Sequence, residues 1–121
     1  MSTEETARVS EATKAEFREK IVWITGASSG IGEGLAKSFA SMGARVVLSG
    51  RNLIALNRVK EESINAGADE SYLLVLPLDV VEFDSIPPAT SSVLDEFSRI
   101  DLLINNAGQG ARDSVSYTHL R

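Results

Sequence analysis

The sequence predicts an α/β protein built on a doubly wound parallel sheet of strand order 3-2-1-4, ending after the fourth strand. Three observations carry that expectation. Four short apolar runs alternate with segments whose apolar residues recur at helical spacing. Each run is apolar throughout, which suits a parallel sheet covered on both faces. Turns rich in glycine and asparagine follow the first and fourth runs, the two strands that right-handed crossovers bring side by side.

Residues 1–19 are rich in Ser, Thr, Glu and Lys. Val9 and Phe17 offer too little apolar surface to hold them on a core, so a flexible N-terminal extension is expected, a partner-binding helix being the alternative. Strand one is Ile21-Val22-Trp23-Ile24. The helix after it carries Ile31, Leu35, Phe39 and Met42 at helical spacing and stops at Gly43. Ala44 to Ser49 reads as strand two. Asn52 can cap the next helix, whose stripe is Leu53, Leu56, Val59 and Ile64 and which ends near Gly67. Tyr72 to Leu78 reads as strand three, with Pro77 near its end. Pro87 and Pro88 fit only the first turn of a third helix, which turns Val93, Leu94, Phe97 and Ile100 to the sheet. Leu102-Leu103-Ile104 is strand four, ending at Asn105-Asn106-Ala107-Gly108. Residues 20–113 therefore read as one unit.

At 121 residues the chain holds one domain at most, and it is short for a complete two-half fold of this kind. A net charge of −5, with no Lys/Arg cluster, argues against a nucleic-acid surface. The lack of cysteine excludes a disulfide framework and a thiolate metal site, and suits a reducing compartment. No run is long enough to span a bilayer, and the amino terminus lacks a signal-peptide pattern. A cytoplasmic protein with no membrane or nucleic-acid partner is expected.

The run Thr25-Gly26-Ala27-Ser28-Ser29-Gly30-Ile31-Gly32 lies between strand one and its helix. A glycine turn there lets backbone N–H groups approach a phosphate and aims a helix N-terminus at negative charge. Gly26 suits the tight turn, Gly30 admits the phosphates, and Gly32 lets the helix pack close to the strand. The spacing Gly-x-x-x-Gly-x-Gly differs from Gly-x-Gly-x-x-Gly. From this segment alone, a plain strand–helix turn needing positive φ stays open as the alternative. The turn Asn105 to Gly108 falls at the same end of the sheet, at the switch point where open α/β sheets bind ligands.

These residues resemble the short-chain dehydrogenase/reductase family over roughly residues 20–110. Its Thr-Gly-x-x-x-Gly-x-Gly turn appears as Thr25 to Gly32, and its Asn-Asn-Ala-Gly motif as Asn105 to Gly108. Its acidic residue after strand three appears as Asp79 in Leu78-Asp79-Val80. The run Leu74-Val75-Leu76-Pro77-Leu78-Asp79 is similar to the branch containing the member-7-like dehydrogenase/reductases. The resemblance implies a Rossmann-like fold in which Gly26, Ser28, Ser29, Gly30, Ile31 and Gly32 line the pyrophosphate and neighbouring ribose. By the same resemblance Asp79 and Val80 meet the adenine, and Asn106, Ala107 and Gly108 approach the cofactor through backbone atoms. Asn105 is expected to tie strand four to its neighbour. For Asp79 a turn or helix-capping role is the alternative.

Charge bears on cofactor choice. A ribose 2′-hydroxyl is usually gripped by an acid about 20 residues after the glycine turn. Strand two here ends in Ser49-Gly50-Arg51-Asn52, with no acid. Gly50 removes the carboxylate that would repel a 2′-phosphate, and Arg51 offers a planar fork that pairs with one. Ser49 and Asn52 can add hydrogen bonds. NADP(H) is favoured over NAD(H), the alternative being that Arg51 is a solvated residue before a helix.

Members of the family carry a catalytic Ser, Asn and Tyr-x-x-x-Lys pair after the fourth strand, and none of these can be placed in this chain. Tyr117-Thr118-His119-Leu120-Arg121 imitates the spacing, but it follows Gly108 too soon and offers Arg where the compact Lys is needed. No catalytic or metal-binding residue is assigned. Val115-Ser116-Tyr117-Thr118-His119-Leu120-Arg121 resembles the translation of a transposon-end sequencing adapter. Residues 114–121 are therefore expected to be a non-native tail, a natural but unusual loop being the alternative, and His119, the only histidine, is given no role. The expectation is an inactive fragment of an NADP(H)-dependent oxidoreductase that interconverts a small-molecule carbonyl and a secondary alcohol. The whole parent is compatible with a homo-oligomer. A non-catalytic nucleotide-binding sensor or scaffold of the same fold is the alternative.

Overall fold

The computed structural model describes residues 15–79, 83–106 and 116–119. One sheet contains β1 (Ile21–Thr25), β2 (Arg45–Ser49), β3 (Leu73–Val75), β4 (Leu102–Asn105) and β5 (Ser116–His119), in the order β3-β2-β1-β4-β5. Strands β1 to β4 are mutually parallel. Between them along the chain run the helices α1 (Gly30–Ser41), α2 (Leu53–Asn65) and α3 (Ile86–Phe97). The order 3-2-1-4 is the one that right-handed crossovers require.

Successive strand residues point to opposite faces, and β1 is covered on both, so all five of its residues are buried. On one face Val22, Ile24, Val46 and Leu48 pack with Ala36 and Phe39 of α1 and with Leu56 and Val59 of α2. On the other, Ile21, Trp23 and Val47 pack with Ala89, Val93 and Phe97 of α3. Burial of each such branched side chain contributes roughly 1.5–3 kcal/mol. The apolar continuity of β1 thus commits it to the middle of the sheet. Helix ends follow the residues expected to set them. Asn52 Oδ1 accepts from Ala55 N–H at 3.0 Å, Gly43 turns the chain after α1 at φ +83°, and Pro87 and Pro88 occupy the first turn of α3.

The structure departs from the sequence reading at several places. The sheet does not end with β4: residues 116–119 return antiparallel, from Asn105 opposite Ser116 to Leu102 opposite His119. An unpaired strand edge is a template for any extended segment, and an antiparallel return needs no crossover helix. Strand β3 is shorter than Tyr72–Leu78, because Tyr72 closes a 3₁₀ turn (Glu70–Tyr72) capped by Asp69. Its ladder nevertheless continues, with Leu76 N–H donating to the Leu48 carbonyl and Leu78 N–H to the Gly50 carbonyl, both at 2.9 Å. Pro77 falls between these donors, where a parallel ladder asks for no N–H. Ile31, Leu53 and Leu94 are exposed rather than buried. Ile31 and Leu53 lie in the first turns of their helices, before either packs on the sheet, and Leu94 lies one position past the inward row Ala89, Val93 and Phe97.

The last part of the N-terminal segment is held more firmly than its composition suggests. Phe17 packs edge-on against Phe39 with ring centroids 5.1 Å apart. Glu19 pairs with Arg45 at 3.1 Å and also accepts from the Tyr72 hydroxyl, while the Arg45 guanidinium lies 4.5 Å from the Tyr72 ring centroid. One aromatic pair and one ion pair therefore supply what an apolar count missed. No helix among the described residues is long and apolar enough to cross a membrane.

Candidate functional site

The carboxyl ends of β1 to β4 carry the candidate site, and hydrogen bonds join them in sequence. Ala27 N–H donates to the Ser49 carbonyl at 3.0 Å, tying the glycine turn to the end of β2. Leu78 N–H donates to the Gly50 carbonyl, tying the residue before Asp79 to the one before Arg51. On the other side, Thr25 Oγ1 donates to Asn105 Oδ1 at 2.8 Å and accepts from Asn106 N–H at 3.0 Å. Asn106 Nδ2 donates to the Gly26 carbonyl at 3.3 Å. Asn105 thus ties β4 to β1, as its position suggested. Asn106 adds a side-chain role that the sequence did not disclose.

Within the turn, Gly26 and Gly30 have φ of +65° and +59°, a conformation that glycine adopts without the usual steric penalty. Gly32 is required for a different reason. A Cβ there would stand 1.9 Å from the Gly26 carbonyl oxygen and 2.6 Å from Asn106 Nδ2. Helix α1 therefore starts in contact with the backbone of the turn. Its cap, Ser29, is extended and makes no side-chain hydrogen bond to the helix, whereas α2 is capped by Asn52. A helix start left uncapped by a side chain keeps its positive end for an anion. A close glycine approach, a left-handed turn and a helix start that the Ser29 side chain does not cap together fit a diphosphate.

The other site residues sort as follows. Ser28 is half-buried and Ser29 exposed. Arg51 is exposed and forms no ion pair among the described residues. Ser49 is corrected: it is fully buried, and its Oγ accepts from Trp23 Nε1 at 2.8 Å, which removes it from any ligand. Asn52 spends its side-chain oxygen on the α2 cap. Asp79 is half-buried, and its carbonyl accepts from Ser85 Oγ at 3.3 Å. Val80, Ala107 and Gly108 lie outside the described residues.

Sequence reading also missed an ionic cluster beside the turn. Glu33 lies in the first turn of α1, and its carboxylate meets the Arg58 guanidinium in a two-pronged pair, at 2.9 and 3.2 Å. Lys37 approaches Glu33 at 2.7 Å, and Glu62 pairs with both Arg58 and Lys37. The spacings Glu33–Lys37 and Arg58–Glu62 were legible as i,i+4 pairs. Their joining across two helices was not. Hydrogen bonding to Arg58, and then to Lys37, lowers the Glu33 pKa from 4.5 to about 2. The folded pKa lies below the unfolded one, so this stabilisation is complete above about pH 4.5 and is lost as pH falls towards about 2. We expect Glu33→Gln to flatten the acid side of the stability profile, as measured by urea unfolding at neutral pH and near pH 3. An unchanged acid limb in the variant would count against it.

A family model described as short chain dehydrogenase matches residues 20–120. Dehydrogenase/reductase SDR family member 7 of Mus musculus is 45% identical over 106 residues, covering 87% of this chain and 31% of that protein. The SDR family protein 7-like of Drosophila melanogaster is 45% identical over 100 residues, covering 82% and 31%. The chain thus spans about a third of the length of these curated relatives. Among solved structures, the apo-form glucose dehydrogenase of Caenorhabditis elegans aligns with a TM-score of 0.73 and 36% identity, over 78% of this chain and 40% of that one. A metagenomic short-chain oxidoreductase in complex with NADP gives 0.73 and 36%, over 78% and 41%. A short-chain dehydrogenase/reductase of Burkholderia phymatum in complex with NAD gives 0.66 and 32%, over 73% and 30%. Motifs, strand order and sequence agree: this chain belongs to the short-chain dehydrogenase family.

Proposed function

We propose that the chain is the cofactor-binding amino-terminal part of an NADP(H)-dependent oxidoreductase that interconverts a carbonyl and a secondary alcohol. The observation that carries the dinucleotide reading is the Gly32 contact with the Gly26 carbonyl, which seats the start of α1 on the glycine turn. In this reading Gly26, Ser28, Ser29, Gly30, Ile31 and Gly32 hold the pyrophosphate and adjoining ribose. Asp79 and Val80 would meet the adenine, and Asn106, Ala107 and Gly108 would approach the cofactor through backbone atoms. Arg51, exposed and without an ion-pair partner among the described residues, supports pairing with a 2′-phosphate, and Gly50 leaves no carboxylate to oppose it. A bound dinucleotide would supply the hydride for carbonyl reduction and accept it in alcohol oxidation. The residues of this chain bind and orient it. A cytoplasmic location belongs to the same reading, and the lack of cysteine in these residues is compatible with a reducing compartment.

The catalytic Ser and Tyr-x-x-x-Lys expected of such an enzyme have no counterpart among these 121 residues. We therefore expect the 121-residue chain alone to show no NADPH-dependent carbonyl reduction, and the protein encoded by the complete open reading frame to show it. Spectrophotometric assay of both against a panel of ketones and aldehydes tests this. Turnover by the short chain would overturn the fragment reading. A complete protein that binds NADPH yet reduces nothing in the panel would favour the sensor or scaffold alternative.

A further inference from the structure

The ionic cluster beside the glycine turn addresses an electrostatic difficulty. A carboxylate in the first turn of a helix stabilises that helix, because it faces the positive end of the macrodipole. The same place on α1 is where a diphosphate arrives in the proposed reading, and two anions there repel one another. Glu33 occupies this place. The Arg58 fork sits against it, reaching over from α2, and the same guanidinium continues to the turn: Arg58 Nη2 donates to the Ser28 carbonyl at 3.2 Å. Lys37 approaches the Glu33 carboxylate from the next turn of α1, and Glu62 holds Arg58 and Lys37 from behind. One guanidinium therefore contacts both the acid that opposes the ligand and a backbone carbonyl of the loop that would receive it.

We infer that Arg58 is a positioning residue for the dinucleotide, neutralising Glu33 at the start of α1 and fixing the Ser28 carbonyl so that the turn accepts a diphosphate. It acts through Glu33 and Ser28. This deepens the proposed function and rests on it. The role differs from that given to Arg51, which lies at the end of β2 and would meet the 2′-phosphate. Loss of Arg51 alters the choice between NADPH and NADH. Loss of Arg58 weakens both, because both carry the pyrophosphate.

The test uses the protein from the complete open reading frame, with NADPH and NADH affinities measured by calorimetry for the unaltered protein, Arg58→Gln, Glu33→Gln and the double variant. Arg58→Gln is expected to weaken both cofactors by about tenfold, since a charge-assisted bond is lost and a carboxylate is uncovered near the phosphates. Glu33→Gln binds both at least as tightly as the unaltered protein. Adding Glu33→Gln to Arg58→Gln restores most of the loss, which a purely structural role for Arg58 would not allow. If Arg58→Gln does not fold, judged by circular dichroism, the single Glu33→Gln variant still decides: weaker binding by it overturns the proposal. So does equal binding by Arg58→Gln, or a double variant no better than Arg58→Gln alone. An unaltered protein that binds neither cofactor defeats the dinucleotide reading itself, an outcome distinct from these.

Discussion

Gly32→Ala is expected to destabilise the protein by roughly 3 kcal/mol or to prevent folding and, under the proposed function, what folds should bind NADPH at least about tenfold more weakly. The reason is the 1.9 Å separation between a Cβ at this position and the Gly26 carbonyl oxygen, with the Gly26 carbonyl carbon at 2.8 Å. Both obstacles are backbone, so no side-chain rotation relieves them. The helix must lift off the turn, which also strains the bond from Asn106 Nδ2 to the Gly26 carbonyl. Gly34 is the matched control. It lies in the same helix, a Cβ there meets nothing within 4 Å, and alanine has the better helix propensity. Gly34→Ala should therefore leave stability unchanged or raise it by about 0.5–1 kcal/mol. Urea unfolding of the two variants side by side checks this, and similar midpoints would show that the close approach is not a constraint.

The second large effect concerns cofactor choice. Under the proposed function, replacing Gly50 by Asp together with Arg51 by Ala moves the ratio of NADPH to NADH affinity at least about tenfold towards NADH. The space exists: a Cβ on Gly50 would meet Leu56 Cδ2 at 3.5 Å and Ser28 Oγ at 3.6 Å, which are ordinary contacts. The new carboxylate repels a 2′-phosphate and can accept from a 2′-hydroxyl, while the lost guanidinium removes the phosphate's partner. Steady-state kinetics with both cofactors on the protein from the complete open reading frame measures the shift. Equal use of NADPH and NADH by the unaltered protein would sink the preference.

The parallel order of the first four strands was legible because each signal was local: β-branched runs, helical spacing, Asn52, Gly43 and the proline pair. Within the site, the glycines of the turn and Asn105 could be read from residue type and position. What escaped the sequence depends on tertiary neighbours. Ser49 reads as a free hydroxyl at a strand end until Trp23 is seen to donate to it from the adjacent strand. Asn106 reads as a backbone contributor until its amide is found on Gly26. Phe17 looks isolated in a polar segment, yet Phe39 lies beside it in space, 22 positions along the chain. Arg58 and Glu33 are 25 residues apart, and only the packing of α2 beside α1 makes them partners. The antiparallel placement of β5 likewise reflects an available edge on β4, which residue type could not announce.

Ala27, Leu78 and Asn106 are hydrogen-bonded to neighbouring strand ends by the fold itself. Ordering a loop on association commonly costs affinity, because the bound conformation must be selected from many. Here the turn and its flanks are drawn together while the sheet forms, so that entropy is lost in folding instead. A ligand would meet a surface already in its receiving shape, and recognition would proceed by docking with little reorganisation. The same arrangement makes the site inseparable from the sheet: loosening a single strand end would release its neighbours and return the ordering cost to the binding step.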